Sequence, residues 1–207
     1  MSSRSKSIAH EIIAAFSDVD KEISKIYVKK FENLFREHEP KHDSHHYKFV
    51  DLRKERDFEK IPKGRGFYLI VGDCIPNRPG PNKCNLVING YPVLYRGQAH
   101  NVKERIESHL DNRRYVETNT KKKKDVWTRC IKLDEGDGAG GINIRDPEHE
   151  ANYWAVLILP MQNSTTVLRQ YAEWGFDRVF GKPIASNERK QAPEELVNEL
   201  AMEQSEA

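Results

Sequence analysis

Long apolar runs, clustered cysteines and a surplus of charge of one sign are all missing from this chain of 207 residues. No stretch approaches the roughly 18 consecutive apolar residues of a membrane-spanning helix, and the first residues contain no apolar signal-peptide core. The three cysteines, Cys74, Cys84 and Cys130, have neither metal-binding spacing nor the even count of a disulfide framework. These absences predict a soluble cytoplasmic protein without a membrane partner.

The charges of the chain nearly cancel. Lysine and arginine number 34 against 32 aspartates and glutamates, which gives a formal net charge of +2. A sum this small neither indicates nor excludes a nucleic-acid partner, because a local basic face disappears in it. Arg113, Arg114 and the run from Lys121 to Lys124 could form such a face.

The beginning of the chain has the pattern of a helical extension. Apolar side chains recur about every 3.6 residues over residues 7–37, which predicts a helix, or two helices if Ser17 and Asp18 cap a second one. Such an extension either packs on the core or forms an arm for a homodimer or for DNA. We divide the chain into this extension at 1–62, a core at 63–190 and a C-terminal helix and tail at 191–207.

The core contains short apolar runs that alternate with helical patterns. Strands are predicted at 66–71, 86–88, 93–95 and 153–159, helices at 101–110 and 164–180, and a polar insertion at 111–152 with a possible strand at 126–133. Gly181 and Pro183 are expected to end the second helix. The pattern predicts a mixed α/β (α+β) fold, in which helices flank a small, mainly antiparallel sheet.

Residues suited to phosphodiester chemistry are spread along this core. Gly66-Phe67-Tyr68 opens one strand and Tyr95-Arg96-Gly97 ends another. The helix that follows carries Arg105 and His109, which share a face at i, i+4 spacing. Arginine offers a bidentate fork to a phosphate oxygen, and a single carboxylate such as that of Glu173 can hold Mg²⁺ when water and phosphate complete the coordination.

In order and spacing, these residues resemble the GIY-YIG nucleases over residues 66–187, with the 111–152 insertion as an interruption. Phe67 and Arg96 stand where the family motifs carry isoleucine. The resemblance implies a GIY-YIG-like fold and a catalytic set of Tyr68, Tyr95, Arg105, His109, Glu173 and Asn187. It assigns Tyr68 to orienting or deprotonating the attacking water, Tyr95 to the phosphate or the water, and Glu173 to Mg²⁺, for which Mn²⁺ could substitute.

The expected function is therefore metal-dependent endonucleolytic cleavage of double-stranded DNA in a restriction or defence setting. Candidate DNA contacts are Arg96, Arg113, Arg114, Lys121, Lys122, Lys123, Lys124 and Lys182. Each residue also has a plain structural interpretation, since strand tyrosines often pack in a core and Arg105 could pair with a neighbouring glutamate. Two other functions stay open: a catalytically inactive nucleic-acid-binding protein that keeps the nuclease fold, and a helical interaction adaptor.

Overall fold

The structure, a computed structural model, describes residues 3–75, 81–126, 131 and 141–186. The chain divides into two compact units, one formed by Phe31–Ser186 and the other by Met1–Lys30 with Asn187–Ala207. The elements are, in chain order, α1 (Ser3–Glu37), β1 (Lys48–Asp51), a 3₁₀ helix (Glu55–Lys60), β2 (Gly66–Gly72), β3 (Val87–Ile88), β4 (Tyr91–Ala99), α2 (Val102–Leu110), α3 (Asn112–Lys121), α4 (Pro147–Glu150), β5 (Trp154–Pro160) and α5 (Thr166–Phe180).

One antiparallel sheet of five strands organises the Phe31–Ser186 unit. Its strand order is β1-β5-β2-β4-β3, and every neighbouring pair runs antiparallel. The central strand β2 is buried along its whole length and pairs with β4 on one side and β5 on the other. The predicted α+β class with a mainly antiparallel sheet is confirmed.

The alternation of side chains along β2 explains why its apolar run is unbroken. Successive side chains of a strand point to opposite faces, so a strand covered on both faces needs apolar residues throughout. Tyr68 and Ile70 join a core that includes Val102 and Ile106 of α2. Phe67 and Leu69 join a second core that includes Phe35 of α1 and Phe176 of α5. The two helices that carry candidate site residues thus contribute to different cores.

Three predicted boundaries differ from the structure. The core begins at Phe31 rather than after residue 62, because β1 pairs with β5 at the sheet edge. Residues 3–37 form one continuous helix across Ser17 and Asp18, not two. The 111–152 insertion contains α3 and α4 and adds Ile131 and Ile144 to the core. The predicted C-terminal helix and most of the predicted strand at 126–133 lie outside the described residues.

Helix α5 begins at Thr166, two residues after the predicted start at 164. Thr165 is the N-cap, and its hydroxyl accepts a hydrogen bond from the backbone N–H of Leu168 at 3.1 Å. Gly181 ends the helix as predicted, with a φ of 82° that an L side chain rarely adopts. Ser164 is thereby left outside the helix, where its carbonyl is free to bond elsewhere.

Among the residues that the structure describes, no helix combines the length and the apolar character needed to cross a lipid bilayer.

Candidate active site

Two strands and one helix bring the predicted tyrosines and histidine together. Tyr68 on β2 and Tyr95 on β4 are side by side, with ring centroids 6.0 Å apart. His109, in the last turn of α2, lies 6.1 Å from the Tyr68 ring and 4.7 Å from the Tyr95 ring, measured between centroids. Helix α2 follows β4 directly and packs beside Tyr68, so the short β4–α2 connection delivers His109 to the tyrosine pair.

Gly97 makes room for this cluster. It pairs with Tyr68 across the β2–β4 ladder. A Cβ atom at position 97 would lie 2.6 Å from Tyr68 Oη and 2.7 Å from Cε1 of Tyr95, both closer than van der Waals contact allows. The Tyr-x-Gly pattern therefore has a local physical cause, because a larger residue two positions after Tyr95 would push the two rings apart.

The two ring nitrogens of His109 have separate partners, and these fix the tautomer of the neutral ring. Nδ1 accepts a hydrogen bond from the backbone N–H of Ile131 at 2.6 Å, while Nε2 lies 2.9 Å from Tyr68 Oη. Burial lowers the pKa of His109 well below its usual value, and the nearby charge of Arg105 lowers it further. His109 is therefore neutral with its proton on Nε2, and it donates that proton to the Tyr68 hydroxyl.

Tyr68 is the buried middle of a hydrogen-bonded chain. Its side chain is fully covered, and burial raises its pKa well above 10, as do the neighbouring Tyr95 and the charge of Glu173, while Arg105 opposes them. Tyr68 also makes a hydrogen bond with Tyr95, which raises the pKa of Tyr68 further. The chain of hydrogen bonds therefore runs from His109 through Tyr68 to the partly exposed Tyr95. A protonated, covered Tyr68 does not fit the predicted role of proton acceptor, whereas it can hold Tyr95 in place.

Arg105 lies within electrostatic range of the same groups. It is half-buried on α2, and its charge shifts the pKa of both Tyr68 and His109. Its Nη1 lies 3.4 Å from the hydroxyl of Ser108, which is a long contact. A guanidinium beside a neutral histidine and two hydroxyls offers donors that suit a phosphate oxygen.

Arg96 points away from solvent towards α5. Its guanidinium binds Asp177 with both arms, from Nε at 3.0 Å and from Nη2 at 2.7 Å, and its Nη1 lies 3.4 Å from Oε1 of Glu173. Burial alone would lower the pKa of Arg96, but the two carboxylates outweigh it and raise the pKa above its usual value. With 7% of its surface exposed, Arg96 does not fit the DNA contact predicted for it.

The side chains around Glu173 decide whether its carboxylate can hold Mg²⁺. The described residues hold no group of three or more acidic, histidine or cysteine side chains arranged for a metal. Mg²⁺ nevertheless often uses one or two protein carboxylates and fills its other positions with water and phosphate. Asp177 takes the short bonds to Arg96, and the 3.4 Å contact of Glu173 exceeds the roughly 2.7–2.9 Å of a charge-assisted hydrogen bond. Glu173 is 2% exposed, so a cation held by its carboxylate would have to take the place of the Arg96 guanidinium beside it.

The remaining predicted residues lie apart from this cluster. Arg113 pairs with Asp146 at 3.1 Å and Arg114 with Glu55 at 2.8 Å, both on the surface. Lys121, Lys122, Lys123 and Lys124 are exposed at the end of α3, and Lys182 is half-buried just after α5. Asn187 lies outside the described residues.

A cavity of about 450 Å³ exists elsewhere in the fold and is lined by Arg53, Lys54, Asp73, Tyr91 and Arg145 among others. None of the predicted site residues lines it.

The free energy of unfolding should decrease towards acid pH, because His109 is buried in its neutral form. Below pH 6.5 the unfolded chain takes up a proton on this residue, while the buried ring in the folded protein stays neutral. The free energy of unfolding should therefore decrease as pH falls, by up to about 1.4 kcal/mol per pH unit from this group. Urea titrations between pH 7.5 and 5 should show a shallower dependence for His109→Gln. His42→Gln, in an exposed loop, is the matched control, and an unchanged slope in His109→Gln would contradict the assignment.

No protein-family model, curated protein or solved structure matches this chain.

Proposed function

We propose that this protein is a metal-dependent endonuclease of the GIY-YIG type that hydrolyses phosphodiester bonds of DNA. The observation that supports it is the chain from His109 through Tyr68 to Tyr95, flanked by Arg105 and Glu173. These residues are spread over more than 100 positions of the sequence, and a resemblance in order and spacing alone pointed to them. Hydroxyls, a guanidinium and a carboxylate are the groups that phosphodiester hydrolysis needs, and the charge of the Glu173 carboxylate acts on Tyr68.

The protein groups have distinct roles in this proposal. Arg105 binds a non-bridging phosphate oxygen and stabilises the negative charge that grows on it as the water oxygen attacks phosphorus. Tyr95, at the exposed end of the chain, holds the attacking water or the phosphate with its hydroxyl. Tyr68 fixes the direction of the Tyr95 hydroxyl, and His109 fixes that of Tyr68. Three hydrogen-bonding side chains in series, with Arg105 beside them, thus position the reacting atoms without changing their own charge.

Mg²⁺ held by Glu173 would stabilise charge on the phosphoryl group and on the departing sugar oxygen, and Mn²⁺ could replace it. Asp177 supports this role because it keeps the Arg96 guanidinium engaged at 2.7 Å and away from full contact with Glu173. The two carboxylates are four residues apart on α5 and therefore share a face. Asp177 makes the short bonds to the internal arginine, and Glu173 makes the longer contact with it.

DNA would be held mainly through its phosphates, and the exposed lysines at the end of α3 are candidates for these contacts. Replacing Lys121, Lys122, Lys123 and Lys124 by glutamine should weaken duplex binding and reduce the salt dependence of log Kd, by about 1 for each lost contact. Fluorescence anisotropy with a short duplex at several salt concentrations measures both quantities.

The control for this change is an equal loss of charge on α1, in which Lys21, Lys25, Lys29 and Lys30 become glutamine. The proposal expects the control to keep a wild-type salt slope. If the α1 variant loses slope and the α3 variant does not, the helical extension is the DNA contact and the lysine run is only a solvated surface.

The ion pair between Arg96 and Glu173 favours one other function, that of a nucleic-acid-binding protein without catalysis. If the guanidinium keeps the carboxylate at all times, no cation binds there. Conversion of supercoiled plasmid to the nicked form separates the two functions. The nuclease nicks in Mg²⁺ and stops in EDTA, whereas the binding protein shifts the plasmid on a gel under both conditions and leaves it intact.

A further inference from the structure

Two arginines outside the tyrosine cluster converge on one carbonyl oxygen. The backbone oxygen of Ser164 accepts a hydrogen bond from Nη1 of Arg169 at 2.9 Å and another from Nη1 of Arg65 at 3.3 Å. Arg65 lies just before β2, and Arg169 lies in the first turns of α5. Two positive side chains are thus held close together at the junction of these elements.

No carboxylate balances this pair within the described residues. Arg169 is 1% exposed, and its other hydrogen bonds go to neutral acceptors, Gln98 Oε1 at 2.9 Å, Ser164 Oγ at 3.0 Å and Thr166 Oγ1 at 3.2 Å. Burial lowers the pKa of Arg169, and the charge of Arg65 lowers it further. The first turn of α5 contains no acidic residue. A covered guanidinium without an acidic partner is unusual, because buried cations normally have a paired anion.

The segment around Arg65 is fixed in place by the backbone. The carbonyl of Gly64 accepts from the N–H of Val102 at 2.9 Å, and that of Arg65 accepts from Met161 at 2.8 Å. Nε of Arg65 donates to Nδ1 of His100 at 3.2 Å, so the neutral His100 ring carries its proton on Nε2. The other guanidinium N–H groups of Arg65, those of Nη2 included, have no acceptor in the described part of the chain. Half-buried Arg65 therefore presents free donors from a rigid base.

We propose that Arg65, supported by the charge of Arg169 and by the His100 ring, forms a second phosphate site that binds a backbone phosphate of the nucleic-acid substrate. This inference rests on the proposed function. Arg65 directly precedes β2, the strand that carries Tyr68, and Arg169 lies one helical turn before Glu173 on α5. Both arginines thus lie on or next to elements that also carry candidate site residues. A phosphate held there would fix the DNA strand against these elements.

Inorganic phosphate and a short DNA duplex are the two probes for this site. Isothermal titration at constant ionic strength follows phosphate, and anisotropy at several salt concentrations follows the duplex. The test variant is Arg65→Gln. The control is Arg53→Gln, which removes the same charge from an exposed arginine that already pairs with Asp51 at 2.8 Å. We expect Arg65→Gln to weaken phosphate binding at least tenfold and to reduce the salt slope of duplex binding by about 1, while Arg53→Gln changes neither.

Wild-type affinities of Arg65→Gln for both phosphate and duplex would overturn the inference. So would phosphate that binds through Arg65 but is not displaced by duplex DNA, since the site would then serve a small phosphate compound. The outcome is separable from that of the proposed function. Phosphate and duplex binding are measured without a cleavage readout, so their dependence on Arg65 is scored whether or not the protein nicks DNA. If phosphate binding depends on Arg65 but the protein does not nick DNA, the phosphate site is supported and the nuclease function is contradicted.

Discussion

Glu173→Gln should reduce the rate of DNA cleavage by about 10³-fold or more. Glutamine keeps the size of the side chain but lacks the negative charge that would hold Mg²⁺. The loss of several kcal/mol of transition-state stabilisation corresponds to this range, since about 1.4 kcal/mol changes a rate tenfold. Single-turnover cleavage in Mg²⁺ at saturating protein measures it, because this regime excludes effects on binding and product release.

The Glu173→Gln protein should stay folded, because Asp177 continues to neutralise Arg96 with bonds of 2.7 and 3.0 Å. Glu148→Gln, on an exposed side chain, is the control and should cleave at the wild-type rate. A second measurement is independent of activity: titration of the protein with Mn²⁺ should show a site that disappears only in Glu173→Gln. Equal Mn²⁺ binding in both variants would remove Glu173 from the metal site.

Loss of either tyrosine hydroxyl should lower the single-turnover rate on the order of 10²–10⁴, the usual scale for a group that handles a proton or orients the nucleophile. Tyr95→Phe removes the hydroxyl at the exposed end of the chain. Tyr68→Phe removes the link that directs it. Duplex affinity should stay close to wild type in both variants, because the rings remain and Arg105 still binds phosphate.

Stability separates the two tyrosines. Tyr68→Phe leaves the Nε2–H of His109 buried without its acceptor, which should cost about 1–3 kcal/mol in the free energy of unfolding. Tyr95 is partly exposed, so Tyr95→Phe should cost less. Urea unfolding of both variants gives the comparison. Two tyrosine variants that cleave within a few-fold of wild type would identify the pair as core aromatics.

The sheet was largely predictable because its central strands are apolar on both faces. The run in β2 and the run in β5 have no helical alternative of that length, and Gly181 marks the end of α5. β1 was missed because its four residues, Lys48–Asp51, are half polar and become a strand only through pairing with β5. α3 was missed because just Tyr115 and Asn119 are buried in it.

The break predicted in α1 failed for a different reason. Ser17 and Asp18 are good capping residues, but a cap acts only where the helix is interrupted. The apolar period continues across them, and the continuous helix satisfies every backbone group in between. The apolar periodicity of the whole segment therefore outweighed the capping preference of Ser17 and Asp18.

The residues of the cluster were predicted from the GIY-YIG resemblance, and strand alternation explains part of their arrangement. Tyr95 and Gly97 lie on one face of β4 because they are two residues apart, and the same alternation sends Arg96 to the opposite face, towards Asp177. The alternation along β4 and the four-residue spacing of Glu173 and Asp177 together indicate, from the sequence alone, that Arg96 pairs with α5. The bond from the Ile131 N–H to His109 could not be predicted, because a backbone donor carries no sequence signal.

The most direct test of the nuclease assignment is single-turnover cleavage of an end-labelled duplex by wild type, Glu173→Gln, Tyr95→Phe and Arg53→Gln, purified side by side and assayed with Mg²⁺ and with EDTA. We expect wild type and Arg53→Gln to cleave at the same rate in Mg²⁺ and not in EDTA, and the two site variants to be slower by orders of magnitude. Cleavage at one rate by all four proteins would reveal a contaminating nuclease, and no cleavage by wild type would contradict the proposed function.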